Sequence, residues 1–216
     1  MDRPPCDSEK AAISRDNNWV LSALPSVPVR LMMYPTGAGT PRRLDNGEFT
    51  ALRGGEFLGD GSRVLVCGNE PKKAARCYVR PVAAGKFRPI TSEGVNDAVA
   101  SPDGEFIVAL TGDGYRQFSV RDGASQRVPG ITADDQVIRY SPDGRFVWTR
   151  RPKVQPVHVE QIDIKTGARS ALLPDFSPRR AGVLGADYVT LADDPHTYAW
   201  VERENASYLF ELKGMK

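Results

Sequence analysis

The chain has 216 residues, 40% of them apolar and 26% charged, which is the balance of a globular protein rather than a disordered or collagenous one. A formal charge of +2 and a pI near 8.4 fall short of the clustered basic character of a nucleic-acid binder. No apolar run reaches the roughly 20 residues of a membrane span, and the opening MDRPPCDSEK lacks the apolar core of a secretory signal.

Taken in chain order, one phrase recurs. SRDNNWVLSA (14–23) carries Asp16 before an apolar run, and LGDGSRVLVC (58–67) carries Asp60 and Gly61. SPDGEFIVAL (101–110) and SPDGRFVWTR (141–150) are near twins built on Asp103-Gly104 and Asp143-Gly144. ADDPHTYAWV (192–201) carries Asp194, with Pro195 in the glycine slot. The anchors 16, 60, 103, 143 and 194 are 44, 43, 40 and 51 residues apart. A period near 40–45 with four short strands per unit is the signature of a propeller blade.

The chemistry of the phrase explains its recurrence. Proline presets the backbone for the second position of a turn, aspartate caps the turn through its carboxylate, and glycine supplies a positive φ. The run that follows reads as a buried strand, because it is short, lacks helical spacing and favours β-branched and aromatic residues. So each Asp turn is expected to join the innermost strand of a unit to the next. In the third unit the strands are read as Ala98–Ala100, Phe106–Thr111, Arg116–Arg121 and Gln126–Val128. In the fourth they are Val137–Tyr140, Phe146–Arg150, Val157–Ile164 and Ala168–Leu172. PTGAG (35–39), VAAGK (82–86), RDGA (121–124) and KTGA (165–168) supply a second hairpin at one phase of the repeat. Almost no helix is expected.

These turns, with hairpins such as D-x-x-T-G, resemble the WD40-like propeller repeat of the TolB type over about 200 residues. The resemblance implies an all-β propeller of about five four-stranded blades, closed or as an open, partial ring. The chain reads as a single propeller with blades at approximately 9–44, 52–90, 97–128, 137–173 and 181–216. The tail from His196 to Lys216 resembles the last blade of propellers that end certain bacterial serine/threonine protein kinases. Three readings of the ring stay open: a C-terminal piece of a longer protein, a closed five-bladed ring, or an arc paired with a second copy. The compartment is the cytoplasm if the chain is complete, and periplasmic or extracytoplasmic if it belongs to a membrane-linked parent.

No enzyme signature is found. GDGSR (59–63) and GASQR (123–127) are not the nucleophile elbow of a hydrolase, and the kinase motif set and the phosphate loop do not occur. His158 and His196 fall in different units, so no catalytic residue and no metal ligand is assigned. Each Asp turn offers a single carboxylate, whereas calcium wants six to eight oxygens. Asp16, Asp60, Asp103, Asp143 and Asp194, with Gly61, Gly104 and Gly144, are therefore read as structural turn residues, and no cofactor is expected. The acid pairs in the two ADD stretches at 133–135 and 192–194 read as solvated loop tips. Cys6, Cys67 and Cys77 form no C-x-x-C pair; the last two can face each other across a hairpin, either bridged or, as the sparse odd count favours, as two buried free thiols. Trp19, Trp148 and Trp200 fall in second strands, where core packing is expected. NAS (205–207) matches a glycosylation sequon, discounted because it lies in a strand region.

Lys72, Lys73, Arg76, Arg150, Arg151, Lys153, Arg179 and Arg180 lie in longer loops on the rim away from the tight turns. Loops on a rigid scaffold are better ligand readers than tight turns. This rim is the candidate face for a protein or peptide partner, an acidic one by charge. The leading expectation is a non-catalytic interaction or sensing module, such as the C-terminal part of a signalling kinase. The alternatives are the accessory propeller of a prolyl-oligopeptidase-type hydrolase and an envelope scaffold. No nucleic acid and no membrane insertion by this chain are expected.

Overall fold

Short apolar runs broken by turn chemistry fold here into successive antiparallel sheets. The computed structural model describes residues 11–24, 26, 29–44, 49–152, 154–177 and 183–204, with backbone alone at 54, 183–187 and 202–204. The first sheet holds β1 (Ala12–Ile13), β2 (Trp19–Leu24), β3 (Arg30–Pro35) and β4 (Arg42–Leu44). The second holds β5 (Ala51–Leu58), β6 (Arg63–Asn69), β7 (Arg76–Pro81) and β8 (Arg88–Pro89). β9 (Ala98–Ala100), β10 (Phe106–Thr111), β11 (Gly114–Ser119) and β12 (Ser125–Arg127) make the third. β13 (Gln136–Tyr140), β14 (Phe146–Arg150), β15 (Val159–Asp163) and β16 (Arg169–Ala171) make the fourth, and β17 (Val183–Leu191) pairs with β18 (Tyr198–Glu204) in the fifth. Strands adjacent in sequence are adjacent in each sheet, and among the described residues there is no helix.

The third and fourth strands end earlier than the sequence suggests, and the turn chemistry says why. Asp163 Oδ1 accepts from the amides of Lys165 and Thr166 at 3.0 and 2.9 Å, and its carbonyl accepts from Gly167 N at 2.8 Å. The chain is drawn into the hairpin at Asp163, so β15 stops there instead of at Ile164. Ser119 does the same in the third sheet, its carbonyl accepting from Gly123 N at 2.8 Å.

The Asp turns share one construction. Ser101 Oγ donates to Asp103 Oδ1 at 2.5 Å and accepts from Phe106 N at 3.0 Å, while Asp103 Oδ1 also accepts from Glu105 N at 3.0 Å. Ser141, Asp143, Arg145 and Phe146 repeat these contacts at 2.5, 2.9 and 3.0 Å. Ser14, Asp16, Asn18 and Trp19 repeat them again at 2.5, 2.9 and 3.1 Å, with Asn17 at φ 58° standing where Gly104 and Gly144 sit at 71°. Asn tolerates that region better than most side chains, so the most degenerate copy keeps the same turn. Asp60 accepts from Ser62 N at 2.9 Å, and Asp194 from His196 N at 3.0 Å.

Four cores alternate with the sheets. Side chains along a strand point to opposite faces, and the second strands use both. Val64 and Val66 of β6 pack with Leu21, Leu31 and Met33 of the first sheet. Leu65 and Cys67 pack with Ile107, Ala109 and Phe118 of the third. Val108 of β10 meets Val147 and Ile162 of the fourth sheet, and Trp148 meets Val189 and Leu191 of the fifth. Continuous apolar runs are thus the mark of strands buried on both faces. Trp19 and Trp200 lie half-buried in the first and last of these cores.

Cys67 and Cys77 are bridged, which corrects the expectation of two free thiols. The amide of Cys77 donates to Thr91 Oγ1 and its carbonyl accepts from Ile90 N, so both its backbone groups face away from β6. Cys67 and Cys77 are therefore a directly opposed, non-hydrogen-bonded pair, the closer kind of cross-strand pair. Their Cα atoms are 4.0 Å apart.

Candidate functional site

The innermost strands β1, β5, β9, β13 and β17 wall a common cavity of about 590 Å³. Its lining follows the repeat. The residue preceding each anchor aspartate faces it: Arg15, Gly59, Pro102, Pro142 and Asp193. So do the residues four positions before the anchors, Ala12, Glu56, Val99, Arg139 and Thr190. Equivalent positions in every unit converge on one space, which is the axis of the wheel.

The cavity wall carries both signs of charge. Arg139 donates to Leu191 O at 2.9 Å and to Asp193 Oδ1 at 2.5 Å, tying the fourth sheet to the fifth. Glu56 Oε1 accepts from Ala100 N at 2.6 Å and ties the second to the third. Arg53 reaches the wall from a bulge: Leu52 pairs with Gly68 and Gly55 with Val66, so Arg53 and Gly54 together oppose Cys67. Arg53 is exposed and, like Arg15, makes no ion pair among the described residues.

The antiparallel order places the Asp turns and the second hairpins on one rim and the loops 70–75 and 151–158 on the other. The described cationic residues among those singled out by sequence stand in different settings. Lys73 and Arg76 both bind Glu70 Oε2, at 2.7 and 3.0 Å, and the Lys73 contact leads the effects that hold the Glu70 carboxyl below its ordinary range. Lys72 stays exposed at the loop tip. Arg150 is 4% exposed, so it is part of the interior and not of a binding face. Arg151 Nε lies 3.3 Å from the carboxylate of Asp135. Lys153, Arg179 and Arg180 lie outside the described residues, as does the sequon at 205–207.

Asp135 anchors this part of the rim. Its side chain is fully buried and receives Arg169 bidentately at 2.9 and 3.0 Å, with Thr132 N at 2.8 Å. Burial alone pushes the carboxyl up, but the hydrogen bonds from Arg169 and Thr132 outweigh it and bring the pKa to about 2. Sequence reasoning read this residue as part of a solvated loop tip. His158 Nδ1 lies 2.7 Å from Asp175 Oδ1, and His196 sits exposed in the fifth Asp turn.

The charged residues lining the axis were not singled out from the sequence, although a signal existed in the phase of the repeat. A stagger of one or four residues before each anchor names Arg15, Asp193, Glu56 and Arg139, while Arg53 and Asp97 fall off it.

No protein-family model matches the sequence, and no curated protein is similar to it. Solved structures are similar. One is the putative TolB of Agrobacterium tumefaciens, 16% identical over 91% of this chain and 70% of that one, with a TM-score of 0.68. Another is TolB of Acinetobacter baumannii, 19% identical with the same TM-score. The fold is a TolB-like β-propeller. This chain spans about half of the Acinetobacter protein, 48% of its length against 88% of its own. In TolB-like terms the sheets are blades, and the cavity is their shared axial space.

Proposed function

We propose that this propeller is a non-catalytic module that binds a protein or peptide partner on the rim of its longer loops, at the mouth of the axial cavity. The observation that supports the reading best is the cavity itself. It has the volume of a ligand site, it is walled by backbone-paired strands that hold it rigid, and its lining includes charged groups of both signs. Two cations without an ion pair among the described residues support partner recognition at that rim: Arg53 in the cavity wall and Lys72 on the β6–β7 loop favour an acidic segment, which they attract by steering. The Cys67–Cys77 bridge favours the extracytoplasmic of the two compartments, because disulfides persist where the environment is oxidising.

Titration with labelled peptides tests this at about 0.15 M salt. A hexaglutamate peptide is expected to bind and a hexalysine peptide not to. Arg53→Glu should weaken the former about tenfold, or 1.4 kcal/mol, with an unchanged Tm. Equal binding of both peptides would remove the acidic-partner reading. Turnover of peptide or ester substrates by the purified chain would remove the non-catalytic one.

A further inference from the structure

The loop between β6 and β7 is built unlike the others on its rim. Lys73 N donates to Glu70 O at 3.1 Å, closing a four-residue turn over Pro71 and Lys72. Pro71 cannot take a positive φ, while Lys72 sits at φ 61°, so this is the type II arrangement, whose third position normally holds Gly or Asn. A lysine there is held in a region unfavourable to a residue with a Cβ. Such outliers persist only where the surroundings over-determine them, and they cluster at functional sites.

The surroundings do over-determine it. Asn69 Nδ2 donates to Lys73 O at 3.2 Å, Gly94 N donates to Ala75 O at 2.8 Å, and Glu70 gathers Lys73 and Arg76. Below the loop, the Cys67–Cys77 bridge closes its base. Glu70 pairs with Lys73 of the loop and with Arg76 at the start of β7, which leaves Lys72 at the strained tip, exposed and without an ion pair among the described residues.

We propose that residues 70–75 form a preformed docking finger, in which Lys72 contacts a carboxylate of the partner and the Cys67–Cys77 bridge holds the finger ready, so that reduction weakens binding. This rests on the acidic-partner reading above and adds its regulation. A dithiol reductant breaks the Sγ–Sγ bond by thiolate attack and is itself oxidised to a disulfide; the two cysteines take up two electrons and two protons and become thiols. The finger then loses the clamp at its base, and ordering it falls to the partner, which costs affinity. Arg53 leaves β5 opposite Cys67, so the same bridge backs the mouth of the cavity.

The test is hexaglutamate binding by the full chain in four forms: oxidised wild type, wild type in dithiothreitol, Cys67→Ser with Cys77→Ser, and Lys72→Gly. Glycine accepts φ 61° without penalty, so Lys72→Gly is expected to keep its Tm while binding about tenfold more weakly. The two reduced forms are expected to bind at least about threefold more weakly, with unchanged far-ultraviolet circular dichroism. Wild-type affinity in Lys72→Gly would overturn the finger, since a turn with no part in binding leaves the affinity where it was. Wild-type affinity in the reduced forms would overturn the redox control. Absence of binding by the oxidised wild type would instead defeat the acidic-partner reading, and the finger with it.

Discussion

At the scale of single residues, two glycines with the same φ separate strain from contact. Gly104 and Gly144 both sit at 71°. A Cβ on Gly104 would stand 2.6 Å from Gly59 N in the neighbouring turn, whereas one on Gly144 would meet nothing closer than Pro102 Cδ at 3.7 Å. Gly144→Ala should therefore cost about 1 kcal/mol, the left-handed penalty alone, and Gly104→Ala clearly more, measured by urea unfolding. Equal costs would contradict the backbone-to-backbone seating of the two turns. Asp143→Ala combined with Gly144→Val should destabilise by more than about 2 kcal/mol, through a lost cap and a strained β-branched residue.

Asp135 yields a pH prediction. Its folded pKa of about 2 lies below the ordinary value of 3.8, so it stabilises the fold above about pH 4, and that contribution fades as the pH falls toward 2. The shift corresponds to about 2 kcal/mol. Asp135→Asn should reduce stability at pH 7, and the gap between variant and wild type should narrow at pH 2. A gap that stays constant with pH would deny the ion pair its role.

The turns were legible at this scale because their chemistry is local: Asp, a positive-φ residue and a Ser cap act within six positions. Even Asn17 could be read in the glycine slot. The burial of Arg150 and the burial of Asp135 were not legible, because each depends on which strand the next sheet brings against it, and no local spacing encodes that. The pairing of Lys73 and Arg76 with Glu70 is local, within six positions, but three cations beside one acid do not say which of them it takes.

At the scale of elements, β10 shows how a strand serves two cores. Ile107 is fully buried between the second and third sheets, while Leu110, three residues on, is 38% exposed. Ile107→Ala should cost about 2–4 kcal/mol and Leu110→Ala less than about 1. Similar values would contradict the exposure of the far end of β10. Sequence periodicity found these strands because runs such as Val64-Leu65-Val66 are apolar at every position. It overran the outer strands because a capping aspartate like Asp163 stops a strand without interrupting its hydrophobic pattern. The cysteine bridge was missed for a different reason: composition argues about cysteine counts, but only register decides whether two cysteines face each other.

At the scale of the whole molecule, stability is a series of interfaces between successive blades. The second, third and fourth sheets each contribute to two cores. Amide hydrogen exchange should accordingly be slowest in β6, β10 and β14, and faster in β1 and β18. Uniform protection across the five second strands would argue against a serial arrangement.

The near twins at 101–110 and 141–150 share a turn but not an environment. Val108 occupies a seat beside Val147 and Ile162, and its counterpart Trp148 occupies one beside Val189 and Leu191. Grafting one decapeptide onto the other's position would thrust an indole into a space shaped for an isopropyl group. The repeated phrase is a common hinge fitting, and the side chains after it are the key teeth that fix which blade stands next to which.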